Sequence, residues 1–188
     1  MIRHDSDSWN IRDRHMVSAL EKLMDFHGEQ ARGLVWEHNT HTGDARATDM
    51  AGEGMVNVGQ LLREKHGSQV YAIGFGTYEG TAIAGKRWGA PMEEMKVPPA
   101  IKNSWKELLH RNGARDQLLL MDAENPALDE MMVGHRAIGV VYHPERERGN
   151  YVPTVISKRY DAFIYLNHTK ALSPLTLELS GGVERGSR

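Results

Sequence analysis

Short apolar runs alternate with segments of helical periodicity along this chain of 188 residues, and this alternation limits its possible folds more than any other feature. Residues 12–32 carry apolar side chains at the three-and-four spacing of an amphipathic helix, and the β-favouring run LVW follows at 34–36. Residues 56–66 repeat the helical spacing before a strand-like run at 69–75. We therefore expect an α/β fold with a mostly parallel sheet flanked by helices.

The second half of the chain continues this pattern. The stretch 74–81 is interpreted as a turn into a further strand, and Ser104 begins a third predicted helix as a capping box with Glu107, three residues further on. Three more predicted strands cover residues 117–121, 137–142 and 162–166. Because no repeat, low-complexity tract or long linker divides the chain, we expect one domain over residues 1–188, with a flexible tail from about residue 176.

Composition excludes several classes of protein. With 40% hydrophobic and 26% charged residues, the chain suits a soluble domain with an ordinary core. A net charge of -2 provides no positive field, so we expect neither nucleic acid nor membrane as a partner. The absence of cysteine rules out thiol chemistry and Cys-ligated zinc, and permits the cytoplasmic location that we predict.

Two histidines directly follow the first strand-like run, in the sequence EHNTH at 37–41. Ligands of open α/β sheets bind beyond the carboxyl ends of the strands, so His38 and His41 lie where a site is expected. Imidazole titrates near neutrality, so one ring can accept a proton from water. The other ring, or the amide of Asn39, can donate a hydrogen bond to a developing oxyanion.

Other interpretations of these residues stay open. The two histidines could instead hydrogen-bond the backbone of their own loop and only brace the turn. With Asp44 nearby, the His-x-x-His spacing would supply two or three metal ligands, although the helical His-Glu-x-x-His pattern of metalloproteases is absent. Arg12 belongs either to a solvated first helical turn or to the site, where its guanidinium would hold oxygen-bearing groups.

Seven short motifs follow one another along nearly the whole chain. They are WNIRDRHM at 9–16, VWEHNTHTGDAR at 35–46, NVGQLLR at 57–63, IGF at 73–75, GT at 80–81, WG at 88–89 and YDA at 160–162. In order and spacing, these motifs resemble the C-terminal part of the erythromycin esterase family, which includes succinoglycan biosynthesis protein-like members.

This resemblance implies an α/β hydrolase that opens a carboxylic ester or lactone by attack of an activated water. The named members act on macrolides in antibiotic resistance. The resemblance further implies that His38 and His41 are catalytic, that Asn39, Arg12 and Asp44 bind substrate, and that no metal or cofactor takes part. Family members usually carry Ala at position 37, where a carboxylate would either raise the pKa of His38 or point to solvent.

The resemblance also implies that the chain is the second half of a larger α/β fold. Full-length members carry an N-terminal portion with a Glu- and His-bearing motif that supplies the water-activating base, and no counterpart precedes Trp9. We therefore expect an open sheet edge or apolar face. Besides a hydrolase of a small-molecule ester, the alternatives are a non-catalytic remnant, a subunit of a split hydrolase and a metal-dependent hydrolase. The expected protein partner is a separate N-terminal half or a second copy of the chain in a homo-oligomer.

Overall fold

The computed structural model describes residues 6–121 and 126–173. The helices are α1 (Ser6–His27), α2 (Asn39–Thr42), α3 (Val58–His66), α4 (Trp105–Arg111), α5 (Pro126–Asp129) and α6 (Ile156–Arg159). The strands are β1 (Ile73–Ala84), β2 (Glu93–Val97), β3 (Gln117–Leu120), β4 (Met132–Arg136), β5 (Tyr151–Val155) and β6 (Ala162–Thr169). None of the helices in this part of the chain is long and apolar enough to cross a membrane. The tail predicted from about residue 176 lies outside the described residues.

The main sheet has four strands in the order β2-β1-β6-β3. β1 and β6 pair in parallel, whereas β2 runs antiparallel to the end of β1 and β3 runs antiparallel to β6. The predicted α/β class is confirmed. The sheet was predicted to be mostly parallel, but only the β1–β6 pair of the four-stranded sheet is parallel. The short connection between β1 and β2 explains part of this difference, because a parallel crossover needs a dozen residues or more.

The strand-like run 34–36 does not form the strand that its residues predict. The segment is extended but belongs to no strand, and 85% of Leu34 and 83% of Trp36 are exposed. A strand needs a neighbour for its backbone groups, and the side chain of Asn39 already occupies the nearby edge of β1. Its Nδ2 donates to the oxygen of Phe75 at 2.5 Å, and the Phe75 N–H donates to its Oδ1 at 3.1 Å.

Four other local predictions are corrected by the structure. Helix α1 ends at His27 instead of near residue 32, because Gly28 adopts a left-handed conformation with φ of 87°. The stretch 74–81 is not a turn but the middle of β1, and residues 137–142 form no strand, since β4 already ends at Arg136. Helix α4 begins after Ser104 as predicted, yet the Ser104 side chain makes no capping hydrogen bond.

One face of the main sheet is covered. The side chains of Phe163 and Tyr165 on β6 are fully buried there and pack with Trp105 and Leu109 of α4 and with Tyr160. Burial of aromatic side chains of this size is the main stabilising contribution that such a core can make.

His135 on β4 is fully buried in the same core, between the rings of Tyr160 and Phe163. Neither ring nitrogen has a hydrogen-bond partner among the described residues. Burial lowers the pKa of His135 well below its ordinary value, and the nearby charges of Lys106 and Arg159 act in the same direction. The ring is therefore neutral in the folded protein.

This burial predicts an acid-sensitive fold. The unfolded chain binds a proton at His135 below its ordinary pKa of about 6.5 and the folded chain does not, so stability is lost as the pH falls below that value. In urea unfolding, wild type should lose about 1 kcal/mol more than His135→Leu between pH 7.5 and pH 5.5. His27→Leu, at the end of α1, is the control and should behave as wild type. An identical pH dependence in His135→Leu would contradict the prediction.

The opposite face of the main sheet is open. Paired positions place Ile73 beside Ala162 and Leu120 in one row, and Phe75 beside Ile164 and Leu118 in the next. Exposure is 65% for Leu118 and 55% for Leu120, and 40% or more for Ile73 and Phe75. All-parallel sheets are normally covered on both faces, whereas sheets with antiparallel strands can leave one face open. This face fits the open apolar surface that the sequence led us to expect.

Candidate active site

The turn that carries both predicted histidines is held by Asn57, which is fully buried. Its Nδ2 donates to the backbone oxygens of Thr40 at 2.8 Å and Gly43 at 2.5 Å. Its Oδ1 accepts from the N–H of Gln60 at 2.9 Å and so caps helix α3. One side chain thereby fixes α2 and its flanking residues against the start of α3.

Helix α3 also approaches this turn very closely at Gly59. A Cβ added to Gly59 would overlap the carbonyl group of Thr42. Glycine is needed here because two backbones meet, and not because of its conformational freedom.

His41 forms a hydrogen-bonded pair with Asp13 of α1. The distance between His41 Nδ1 and Asp13 Oδ2 is 2.8 Å, and the same oxygen accepts from the N–H of Val58 at 3.2 Å. The Asp13 side chain is fully buried, whereas 18% of the His41 side chain is exposed. Trp9 stacks on the imidazole at 4.5 Å between ring centroids. An imidazole that donates from Nδ1 to a carboxylate presents the lone pair of Nε2 as a base.

His38 occupies a different position, although it lies only three residues away. Its Nε2 lies 2.8 Å from the carbonyl oxygen of Ile138, and its Nδ1 lies 2.9 Å from Thr40 Oγ1. The residue as a whole is exposed, but its ring nitrogens face inward. Desolvation lowers the pKa of His38, while the hydrogen bond to Ile138 acts in the opposite direction. Both nitrogens are used within the protein, as in the bracing interpretation that the sequence left open.

The three predicted substrate-binding residues differ in their availability. The amide of Asn39 bonds the backbone of β1, and the buried Asp44 carboxylate binds Arg46 through two hydrogen bonds of 2.7 and 3.0 Å. The Arg12 guanidinium is half-exposed, lies 4.8 Å over the Trp9 ring and is 3.8 Å from Asp13. Of the three, Arg12 alone is brought beside the His41 pair with part of its donor set free. The assignment of all three to substrate binding stays a prediction.

The position of Glu37 fits neither of the two alternatives drawn from the sequence, a raised pKa of His38 or a carboxylate that points to solvent. Its Oε2 is buried and has no hydrogen-bond partner among the described residues, so the carboxylate does not simply point to solvent. The pKa of His38 is lowered, so Glu37 does not raise it. Instead, Glu37 lies close enough to His41, Asp13 and Arg12 for their charges to affect its own pKa.

A cavity of about 1090 Å³ lies beside the turn. Its walls come from α1, the extended segment that follows it, α3 and the start of β1. Apolar lining residues include Leu20, Met24, Trp36, Leu62, Tyr71 and Phe75. Glu37, His38, Asn39 and Thr42 contribute polar groups at the turn, and further polar lining residues are Glu29, Gln30, Arg32, His66 and Gln69. A large cavity that combines apolar walls with polar groups is typical of a ligand site.

The part of the chain that the structure describes contains no group of three or more His, Asp or Glu that could hold a metal ion. Both ring nitrogens of His38 are engaged, with Ile138 and with Thr40, so His38 and His41 do not form the ligand pair that the metal-dependent alternative requires.

The mixed α/β fold thus sets a buried carboxylate–imidazole pair close to a large cavity. The chain belongs to the erythromycin esterase family, whose sequence profile, described as "Erythromycin esterase", matches residues 1–169. The resemblance found in the motifs is confirmed.

Solved structures support the same fold. A Bacillus cereus protein superposes with a TM-score of 0.71 at 17% identity, covering 88% of this chain and 40% of its own. A succinoglycan biosynthesis protein gives 0.72 at 17% identity, with 89% and 40% covered. A mutant of the erythromycin esterase EreC in its open conformation gives 0.58 at 18% identity, with 84% and 37% covered. The chain thus spans about 40% of the length of these structures.

Proposed function

We propose that this chain carries proton-transfer groups of a hydrolase that cleaves a carboxylic ester or lactone with an activated water. The observation that carries the proposal is the 2.8 Å contact between His41 Nδ1 and the fully buried Asp13 carboxylate. A buried carboxylate fixes the tautomer and orientation of an imidazole and stabilises the imidazolium that forms. General acid–base chemistry of this kind accelerates acyl transfer strongly.

The reaction uses one proton of the attacking water. Nε2 of His41 accepts that proton, and the hydroxide adds to the carbonyl carbon of the substrate. The tetrahedral intermediate then collapses, the bond between the carbonyl carbon and the leaving oxygen breaks, and the imidazolium returns the proton to that oxygen. The half-exposed Arg12 guanidinium would stabilise the negative oxygen of the intermediate.

His38 and Asn39 would contribute by holding His41 in place. His38 ties the turn to the backbone at Ile138, and Asn39 ties it to Phe75 on β1. The neighbouring cavity would take the apolar body of the substrate. A macrolide is one candidate among esters and lactones of this size, and a cytoplasmic location stays a prediction.

The proposal is tested by measuring hydrolysis of aryl esters and of macrocyclic lactones by the purified chain, with heat-denatured protein as the blank. We expect a rate that is proportional to protein concentration. If no ester or lactone is hydrolysed, either by the chain alone or together with a polypeptide that co-purifies with it, the proposal is wrong.

A second candidate function is that of a subunit in a split hydrolase. The open sheet face with Leu118 and Leu120 favours it, as does the share of about 40% of the solved relatives that the chain spans. Native mass spectrometry of the protein purified from its own cells would reveal a second polypeptide, and hydrolysis should require it. An active monomer of 21.1 kDa would contradict this candidate.

A further inference from the structure

Residues 32–37 form an extended segment whose backbone has no pairing partner. None of their N–H or C=O groups hydrogen-bonds to another residue of 6–121 or 126–173. The apolar side chains of Leu34 and Trp36, which favour strands, point away from the protein and are mostly exposed. Open backbone groups beside exposed apolar side chains are the features of an unprotected sheet edge, which binds another strand.

The segment is held at both ends. At its start, Gly33 packs against α1, where an added Cβ would lie 3.0 Å from Cδ1 of Leu20. After its end, His38 Nε2 lies 2.8 Å from the oxygen of Ile138, and the Asn39 amide bonds β1. Because the backbone between these anchors is already extended, little conformational entropy is lost when a strand pairs with it.

The sequence of the segment is complementary to itself. Side chains alternate along an extended chain, so Leu34 and Trp36 share one face and Val35 lies between them. A second copy that runs antiparallel about a two-fold axis at Val35 places its Trp36 opposite Leu34, and its Leu34 opposite Trp36. Pairs of an aromatic and an aliphatic side chain across two strands stabilise antiparallel pairing.

The same register opposes no like charges. It places Glu37 opposite Gly33 and Arg32 opposite His38. Desolvation lowers the pKa of His38, so its ring is neutral at pH 7.5 and does not repel the guanidinium. Residues 33–36, with the sequence GLVW, also contain none of the lysine or proline residues that commonly protect an edge from pairing.

We propose that residues 33–37 are the dimerisation edge of this protein and pair antiparallel with the same residues of a second copy, about a two-fold axis at Val35. Leu34, Val35 and Trp36 belong to the lining of the large cavity. Each cavity therefore gains a Trp36 side chain from the other copy at its rim, opposite its own Leu34.

The first test is sedimentation velocity of the purified chain between about 1 µM and 500 µM, which covers the Kd of a weak interface. Leu34→Lys is compared with Leu172→Lys, which changes a leucine of nearly equal exposure, 84% against 85%, outside the segment. Urea unfolding at the lowest protein concentration checks that both variants fold.

We expect wild type to form a dimer within this range. Leu34→Lys should raise the dimer Kd by about 10-fold or more, because it removes an apolar pair on both sides of the axis. Leu172→Lys should leave the Kd unchanged.

The second test uses the absence of cysteine from the chain, so that each variant carries a single thiol. In the proposed register the two Val35 Cα atoms lie about 4.5–5.5 Å apart, within reach of a disulfide. The two Leu34 Cα atoms lie about 8 Å apart, which a disulfide does not span. After addition of diamide, Val35→Cys should therefore form the covalent dimer faster than Leu34→Cys and Leu172→Cys, although both leucines are more exposed than Val35.

Three results would overturn the inference. The first is a wild-type chain that stays monomeric over the whole range, which would leave a strand of a different polypeptide as the occupant of this edge. The second is an equal Kd for Leu34→Lys and Leu172→Lys, which would place the dimer contact elsewhere. The third is cross-linking of Val35→Cys no faster than that of Leu172→Cys.

Discussion

Replacing His41 with alanine is expected to reduce ester hydrolysis by about 100-fold to 10,000-fold, the range that a lost general base produces. The loss should appear in kcat, because the His41 ring acts on the water and its removal leaves the cavity walls intact. The effect should be larger than that of His38→Ala, since the ring nitrogens of His38 bond Ile138 and Thr40. The measurement is the steady-state rate on an aryl ester at neutral pH.

His41→Ala also leaves Asp13 buried without its partner, so a loss of folding must be separated from a loss of chemistry. His41→Asn provides that separation, because its amide can still donate to Asp13. We expect His41→Asn to fold and to be nearly as inactive as His41→Ala. His27→Ala, at the exposed end of α1, is the matched control and should keep the wild-type rate. If His41→Asn retains more than a third of the wild-type kcat, the assigned role of His41 is wrong.

Gly59→Ala is expected to have the largest effect on stability among conservative changes near the site. The added Cβ would overlap the Thr42 carbonyl, so α3 must move away from the turn. Overpacking of this kind costs about 1–3 kcal/mol, and displacement of the turn would also weaken the bonds of Asn57 to Thr40 and Gly43. The free energy of unfolding, measured in urea, should fall accordingly.

Gly52→Ala is the control for this change, because a Cβ at Gly52 meets no atom within 4 Å. It should leave the free energy of unfolding within about 0.5 kcal/mol of wild type, as is usual for surface substitutions. Equal stabilities for Gly59→Ala and Gly52→Ala would show that α3 does not pack against the turn in this way.

Elements with strong local signals could be predicted from the sequence. Helix α3 was predicted over residues 56–66 from apolar residues at helical spacing, and it forms over Val58–His66 between the capping Asn57 and Gly67. The strands β3 and β6 begin at the predicted residues. Each of these elements carries its start or stop signal within its own residues, so local chemistry is sufficient to define it.

The run 34–36 shows where local chemistry is insufficient. Its residues favour a strand, but a strand forms only when a neighbouring strand pairs with its backbone. The adjacent edge of β1 is bonded by the Asn39 side chain, a contact across 36 residues that no pattern within the run reveals. The direction of the strands next to β1 and β6 likewise depends on the chain connections and not on the strand sequences.

The site was predicted in part. The sequence indicated His41 and its turn, but Asp13 was present only as one residue of the motif WNIRDRHM at 9–16 and was not assigned to the site. The pairing of Asp13 with His41 requires α1 to lie across the turn 28 residues later, which spacing alone does not show. The available signal for this pairing was Asp13 within the motif RDRHM at 12–16. A carboxylate on α1 stays fully buried, as Asp13 does, only if a hydrogen-bond donor faces it.

The central claim is that Asp13 and His41 act as one proton-transfer unit, and a double-mutant cycle tests it most directly. The kcat for an aryl ester is measured in wild type, Asp13→Asn, His41→Asn and the double variant. We predict that Asp13→Asn alone lowers kcat on the order of 100-fold, and that the double variant is no slower than His41→Asn. The effects of two substitutions on kcat do not add when both residues act as one unit. A wild-type rate in Asp13→Asn, or losses that multiply in the double variant, would contradict the claim.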